Sequence, residues 1–159
     1  MKIYSLTFLC IFLLSCNKSE SIQLDKTKIA IIPVEEKNFK PTDDELQLAE
    51  QLVSKRLGIY NEEQKASNED KKYFLGDSLH YESKVIELKN YYRQCETFYN
   101  DKGEKIVVMN CLCDDIIKKS FSDWRKSKIT VNDGGSCFFQ IAVNLDLKIV
   151  YGFMINGEA

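Results

Sequence analysis

A strict alternation of apolar side chains near the end of the chain constrains the fold more than any other feature. Over residues 137–145 every second position is apolar, at Cys137, Phe139, Ile141 and Val143. Residues 147–155 continue the pattern, with one face expected to carry Leu147, Ile149, Tyr151, Phe153 and Ile155. A period of two is that of a β-strand with one buried face, so two strands are predicted here, joined by a turn at Asp146.

Further strands are predicted upstream, at residues 91–100, 104–113 and 129–132. A three-residue loop ending in glycine separates the first two, and a glycine-rich turn follows the third. Residues 28–34 are β-branched and apolar, and Pro33 cannot donate to a strand ladder, so this segment is expected at a sheet edge.

The loop between the first two of these strands predicts a hairpin with a defined register. Gly103 suits the left-handed position of a three-residue turn. Asn100 then faces Glu104, and by the same count Cys95 faces Met109.

One helix is predicted at residues 43–57. Thr42 and Glu45 have the spacing of a capping box. One apolar stripe follows at helical spacing, formed by Leu46, Ala49, Val53 and Leu57. Gly58 is placed for a C-terminal cap. The charged residues 61–72 are expected to form a solvated loop or a fraying helix.

Together these elements predict an α+β fold, because one helix precedes a run of strands rather than alternating with them. We expect the amphipathic helix to cover an antiparallel meander of about five strands. The element order resembles that of cystatin-like folds, and such an analogy does not determine function.

The beginning of the chain reads as a targeting signal. Lys2 precedes an apolar run of twelve residues, 3–14, which is shorter than the ~20 residues of a membrane-spanning helix. The run ends in Leu13, Leu14, Ser15 and Cys16, which resembles the lipobox of bacterial lipoproteins. The resemblance implies cleavage before Cys16 and diacylglycerol attached to its thiol, with the membrane as the first partner. Residues 1–15 are then the signal peptide, residues 16–27 the lipidated cysteine with a polar tether, and residues 28–159 one α+β domain.

The charge balance bears on one broad class of partner. Residues 1–15 contain one lysine and no acid, so most of the 22 basic and all 24 acidic side chains belong to the mature chain. A near-neutral surface gives no reason to expect nucleic acid as a partner.

The C-terminal half resembles a group of small lipoproteins common in the Bacteroidota. The matching pieces are GEKIVVMNCLC at residues 103–113, Trp124, VNDGGSCFF at 131–139, and the following VNL and NGEA. The resemblance implies export and lipidation, in keeping with the lipobox, and it implies no catalytic or ligand-binding residues.

Four cysteines remain for the exported domain once Cys10 leaves with the signal and Cys16 is lipidated. In an oxidising compartment they are read first as candidate disulfides, namely Cys95, Cys111, Cys113 and Cys137. Cys95 lies diagonal to Cys111 in the predicted hairpin, and diagonal Cβ atoms are ~7 Å apart, whereas a disulfide needs about 3.8 Å. A bond from Cys111 or Cys113 to Cys137 is therefore favoured, although three full pairings remain open.

Catalytic and metal-binding readings find little support. The cysteines with His80, the only histidine, match no established zinc spacing, and C-x-C is not the redox motif C-x-x-C. His80 has no nucleophile motif around it. No metal site and no cofactor is predicted, and the lysines and arginine at 118–119 and 125–128 are read as a solvated face rather than a lipid-headgroup site.

Aromatic residues exceed what one core face can hold. Neighbours such as Tyr91 and Tyr92, or Phe138 and Phe139, point to opposite faces of a strand, which predicts aromatic surface for a partner. The favoured hypothesis is a non-catalytic module that binds a protein or peptide in the cell envelope. Alternatives are an inhibitor or immunity-type protein, and a thiol-dependent enzyme acting through Cys111 and Cys113. Asn17 after the lipidated cysteine favours the outer membrane.

Overall fold

The computed structural model describes residues 23–34, 38–75 and 85–157. The predicted signal peptide, the predicted lipidation site Cys16 and His80 lie outside these ranges. The described elements are strand β1 (Ile29–Ile31), helix α1 (Asp43–Leu75), strands β2 (Tyr91–Tyr99) and β3 (Lys105–Cys113), helix α2 (Asp114–Ser120), and strands β4 (Phe138–Asn144) and β5 (Ile149–Ile155).

The five strands form one mixed sheet in the order β1-β2-β3-β4-β5. β1 pairs parallel with β2, and the other neighbours pair antiparallel. The predicted α+β class, with one main helix and about five strands, is thus confirmed, as is the edge position of the strand that precedes Pro33. The sheet is mostly rather than wholly antiparallel, since β1 pairs parallel with β2. The strand predicted at residues 129–132 is wrong: this segment forms no strand, because its backbone is held by side chains of β2 and β3 instead.

The hairpin of β2 and β3 has the predicted register. Cys95 pairs with Met109, and Asn100 donates its N–H to the Glu104 carbonyl oxygen at 3.0 Å. Gly103 adopts the left-handed conformation, with φ 79°.

Helix α1 begins as predicted and ends later. The Glu45 N–H donates to Thr42 Oγ1 at 3.2 Å, and the Thr42 N–H donates to Glu45 Oε2 at 2.8 Å, which completes the capping box. The predicted stripe Leu46, Ala49, Val53 and Leu57 is buried. The predicted stop at Gly58 is wrong, because the next turn makes its own contacts: Tyr60 packs edge-on against Phe153 at 5.2 Å between ring centroids.

Both faces of the sheet are covered over part of their area. On the inner face, α1 packs over a core that includes Val53, Val107, Met109 and Phe139. On the outer face, residues 121–131, here called the cover segment, bury a second apolar cluster: Ala30, Ile32, Leu112, Ile117, Trp124, Ile129 and Phe138. Trp124 anchors this segment, since its ring meets the Tyr92 ring edge-on at 4.7 Å.

Strand β5 contains a bulge that overturns part of the predicted pattern. Ala142 pairs with Tyr151 whereas Gln140 pairs with Met154, so β5 has one extra residue there. Gly152 lies in the bulge with φ 64°. Ile149 and Tyr151 consequently point away from the inner core, while Phe153 and Ile155 pack against it, so the expected single face is split in two.

Within the described ranges, no helix is long and apolar enough to cross a membrane.

Candidate functional site: the open patch and the edge of β5

The register of the sheet divides the outer face into a covered and an open half. Residues directly opposite in neighbouring strands have side chains on the same face, so they form rows across the sheet. Two rows, beginning at Tyr92 and at Gln94, lie under the cover segment. Met154, at the β5 end of the second row, lies beyond this cover and is exposed. The next two rows are Glu96–Val108–Ala142–Tyr151 and Phe98–Ile106–Asn144–Ile149.

The open half presents apolar side chains to solvent. Tyr151 is 45 % exposed, Ile149 49 % and Met154 62 %, and Phe98 and Val108 beside them are half-buried. We call these five residues the open patch. An ion pair of 2.7 Å between Lys128 and Glu96 lies at its border with the cover segment. Ile106, Ala142 and Asn144 in the same rows are buried, so the exposed apolar area lies mainly along β5. Exposed apolar surface of this kind is a feature of interaction sites.

Strand β5 is also the last strand of the sheet. Among the residues that the structure describes, no strand pairs with its outer side. Its sequence, IVYGFMI, contains neither a charged residue nor a proline. Soluble proteins usually protect an edge with such residues, because an unprotected edge pairs with other chains. Apart from the bulge at Gly152, this edge of seven residues has none of the usual protection, which is typical of a strand that a partner covers.

The hydrogen-bonding direction along β5 can be read from its neighbour. The Asn156 N–H donates to the Phe138 carbonyl oxygen at 3.0 Å, so even-numbered residues of β4 bond towards β5. In an antiparallel pair alternate residues bond to the neighbour and the others direct both backbone groups outward. The β5 residues opposite even-numbered residues of β4, namely Ile149, Tyr151 and Met154, therefore bond to β4. Val150, Phe153 and Ile155 direct their N–H groups to the open edge.

The tyrosine of the open patch stays neutral over the physiological range. Burial raises the pKa of the Tyr151 hydroxyl, and the nearby Glu104 carboxylate raises it further. Glu104 itself is held in place by the side-chain amides of Asn100 (2.7 Å) and Asn144 (2.8 Å). The patch thus offers an uncharged phenol in an otherwise apolar surface.

A second candidate lies on the inner side, where a pocket of about 500 Å³ opens beside α1. Glu50 and Arg93 line it, and their charged groups are 2.5 Å apart with side chains only 4 % and 2 % exposed. Burial raises the pKa of the Glu50 carboxyl, and Arg93 partly offsets this. Such a carboxyl can serve as a catalytic acid. The described lining, however, has Ser54 as its one hydroxyl and neither histidine nor cysteine, so we interpret the pair as structural.

The four candidate cysteines fall into two pairs with different states. Cys113 and Cys137 form a disulfide, with Cα atoms 4.9 Å apart, which is one of the bonds favoured from the sequence. Cys95 and Cys111 are buried thiols and are not bonded to each other. Burial raises the pKa of Cys95 to about 12 and that of Cys111 well above its usual range. Reactive thiols need the opposite shift, so the residues proposed for a thiol-dependent enzyme are poorly suited to that role.

Other candidates from the sequence have ordinary structural contacts. Arg125 donates to the carbonyl oxygens of Thr27 and Ile29, and Lys126 pairs with Asp123 at 3.2 Å. In the described parts of the chain, no group of three or more His, Cys, Asp or Glu side chains could hold a metal ion.

Only part of the predicted aromatic surplus reaches the outer surface, namely Phe98 in the open patch. Tyr92 and Phe138 lie beneath the cover segment. The sequence of that segment has no periodic pattern that would predict its position over the outer face. The open patch instead depends on the bulge at Gly152, which directs Tyr151 and Met154 outward together. A glycine inside a strand pattern is the one sequence signal for such a bulge.

Comparison of the chain with protein-family models, with curated proteins and with solved structures finds no match.

Proposed function

We propose that this chain is a lipid-anchored, non-catalytic module of the bacterial cell envelope that binds a protein or peptide partner through the open patch and the edge of β5. The observation that carries the proposal is the uncharged strand Ile149–Ile155, whose outer edge pairs with no other strand among the described residues. Its exposed Ile149, Tyr151 and Met154 supply apolar contact area beside unused backbone groups. An exposed apolar edge of this kind promotes aggregation unless a partner covers it.

The anchor part of the proposal comes from the sequence. Leu13-Leu14-Ser15-Cys16 has the form of a lipobox, and the resemblance to small Bacteroidota lipoproteins agrees with it. Residues 17–27 are mostly polar and would hold the domain away from the bilayer as a tether. We place the protein in the outer membrane, since Asn17 does not resemble an inner-membrane retention signal.

Lipidation is tested by the intact mass of the protein purified from membranes of its host. The expected mass is that of residues 16–159 plus a diacylglycerol or triacyl group, and a Cys16→Ser variant is expected to leave the membrane fraction. A parent protein that retains residues 1–15, or is unmodified at Cys16, would refute the anchor.

Partner binding is tested by replacing Tyr151 with the photo-crosslinking residue p-benzoylphenylalanine in living cells. We expect one defined crosslinked protein from this position. The matched control places the same residue at Lys55, which is exposed on α1 away from the open patch. Equal crosslinking from both positions, or none from Tyr151, would count against a binding function of this surface.

A further inference from the structure

We infer that the partner binds β5 by strand addition: an extended, uncharged segment pairs with its open edge as a sixth strand and lays alternate apolar side chains on the open patch. This rests on the proposed function and specifies the partner's chemistry. Side-chain docking on the open patch alone is the alternative, and it would leave the edge of β5 unused.

The backbone of β5 is the first step of the argument. Val150, Phe153 and Ile155 direct N–H groups outward, as the bond from the Asn156 N–H to the Phe138 carbonyl oxygen indicates. An extended segment can satisfy these groups with main-chain hydrogen bonds, which give affinity, while side-chain pockets give specificity. A helix could not, because its own backbone groups are already paired.

Charge is the second step. β5 has no ionisable group other than the neutral Tyr151 hydroxyl. The nearby Glu104 carboxylate and the Lys128–Glu96 pair already have partners, so a charged side chain laid over the strand would lose water without gaining a new counter-ion. The nearest strand end carries Lys148, just outside the paired region. The complementary segment is therefore uncharged over the length of β5.

The side chains on either side of β5 are the third step. An added strand places every second side chain on the outer face, beside Ile149, Tyr151 and Met154. Its other side chains face the inner side, where α1 already closes over Phe153: the Arg56 guanidinium lies 5.3 Å from the ring centroid. Apolar residues are expected at the first set of positions, and small or polar neutral residues at the second.

The bulge argues against a second copy of this chain as the occupant. Two-fold antiparallel pairing of β5 with itself about its midpoint would place one Gly152 opposite the other. Each bulge leaves a residue unpaired and bends its strand, so the two irregularities would coincide at the centre of the new ladder. A flexible peptide segment has no fixed bulge and can follow the bend.

The test uses the mature full chain and an acetylated, amidated VTVTVTV heptapeptide at millimolar concentration, with hydrogen exchange as the readout. We expect slower exchange at Val150, Phe153 and Ile155. Two N-methylated peptides, one blocked at every valine and one at every threonine, remove donors from opposite edges. Strand addition requires that one of them loses binding and the other retains it. No slowing at these amides overturns the inference.

A pair of variants separates failure of the inference from failure of the proposed function. Val150→Pro removes one outward N–H and leaves the bonds to β4, whereas Val150→Ala keeps that N–H. We expect Val150→Pro to weaken peptide binding about tenfold, as for the loss of one hydrogen bond, and Val150→Ala to have little effect. Equal binding by the two variants refutes strand addition. If the crosslink from position 151 still forms in cells that carry Val150→Pro, side-chain docking is supported. If no crosslink forms even without Val150→Pro, the proposed function itself is refuted.

Discussion

The two faces of the sheet bury polar groups in opposite ways, and neighbours on β2 show the difference. Arg93 points inward to the Glu50 carboxylate of α1, 2.5 Å away. Gln94 points outward, where its amide donates to the carbonyl oxygens of Trp124 (2.5 Å) and Ser127 (2.7 Å). Its own oxygen accepts from the Ile129 N–H at 2.8 Å.

On the outer face, the neutral side chain of Gln94 thus has all of its hydrogen bonds. On the inner face, the charge pair lacks one. The Gln94 oxygen also accepts from the Asn110 side chain at 3.0 Å, which uses every hydrogen-bonding position of Gln94. Among the described residues, the buried Arg93 Nε has no hydrogen-bond partner. Burying two charges costs desolvation that their attraction only partly repays. We therefore expect the inner face to be the more sensitive to mutation and to pH.

The largest effect is expected from breaking the charge pair. Arg93→Met leaves Glu50 buried and unpaired, so the free energy of unfolding should fall by about 3–5 kcal/mol. Urea denaturation followed by circular dichroism measures this. The double variant Arg93→Met with Glu50→Leu is the control, and it should recover most of the loss. If the double variant is as unstable as the single one, packing rather than the stranded charge explains the effect.

The next largest effect is expected on the outer face. Gln94→Ala leaves the Ile129 N–H and the Trp124 and Ser127 carbonyl oxygens without their partner, for a loss of about 2–3 kcal/mol. Hydrogen exchange should accelerate first in the cover segment and not in α1. Gln140→Ala, on the same row but half-buried, is the matched control and should stay within about 0.5 kcal/mol of the parent. Faster exchange throughout α1 would mean that the two faces are not independent.

A pH series sharpens the comparison further. Burial raises the pKa of Glu50 above its ordinary value of 4.5, so the folded state holds this proton more tightly than the unfolded state. The stability that protonated Glu50 contributes is complete below pH 4.5, and it is lost as the pH rises through the raised pKa of the folded state. Relative to Glu50→Gln, the parent should therefore become less stable with rising pH.

Two comparisons control that series. The hydrogen bond from Lys105 lowers the pKa of Glu45 and gives the opposite trend, but it is common to the parent and to Glu50→Gln and cancels in their difference. Gln94→Ala should show the same pH dependence as the parent, since no titrating group is removed. A constant difference between the parent and Glu50→Gln from pH 4 to pH 8 would contradict the raised pKa.

The smallest expected effect concerns the thiols beneath α1. Cys95 and Cys111 are fully buried with raised pKa values, so a disulfide reagent at pH 8 should not label the native protein. Labelling should take place at the rate of global unfolding, and it should be faster in Arg93→Met. Rapid labelling of the native parent would revive the thiol-dependent enzyme.

Local patterns in the sequence predict the parts of the fold that depend on neighbours in the chain. Gly103 and the lengths of β2 and β3 determine the hairpin register, and Thr42 with Glu45 determines where α1 begins. The end of α1 was not predictable, because the Tyr60–Phe153 contact depends on a strand more than ninety residues away. The segment 129–132 looks like a strand by composition, yet Gln94 and Asn110 bind its backbone from the sheet face.

The candidate site was predictable only in part. The favoured bonds to Cys137 followed from strand neighbours, and Cys113 proved to be the partner. The sequence did not indicate that Arg93 and Gln94 are buried, since polar residues in a strand ordinarily face solvent. The open patch was not predicted, because the bulge at Gly152 changes the alternation. Without this bulge, Tyr151 would have faced the inner core as the alternation predicts.

The Cys113–Cys137 bond has a consequence for the connectivity of the molecule. Its cysteines are 24 residues apart, and the chain between them contains α2 and the whole cover segment. This part of the protein is therefore a closed covalent ring whose two ends are both fastened to the sheet. A single protease cut within the ring therefore leaves the two fragments covalently joined, because the disulfide still connects them.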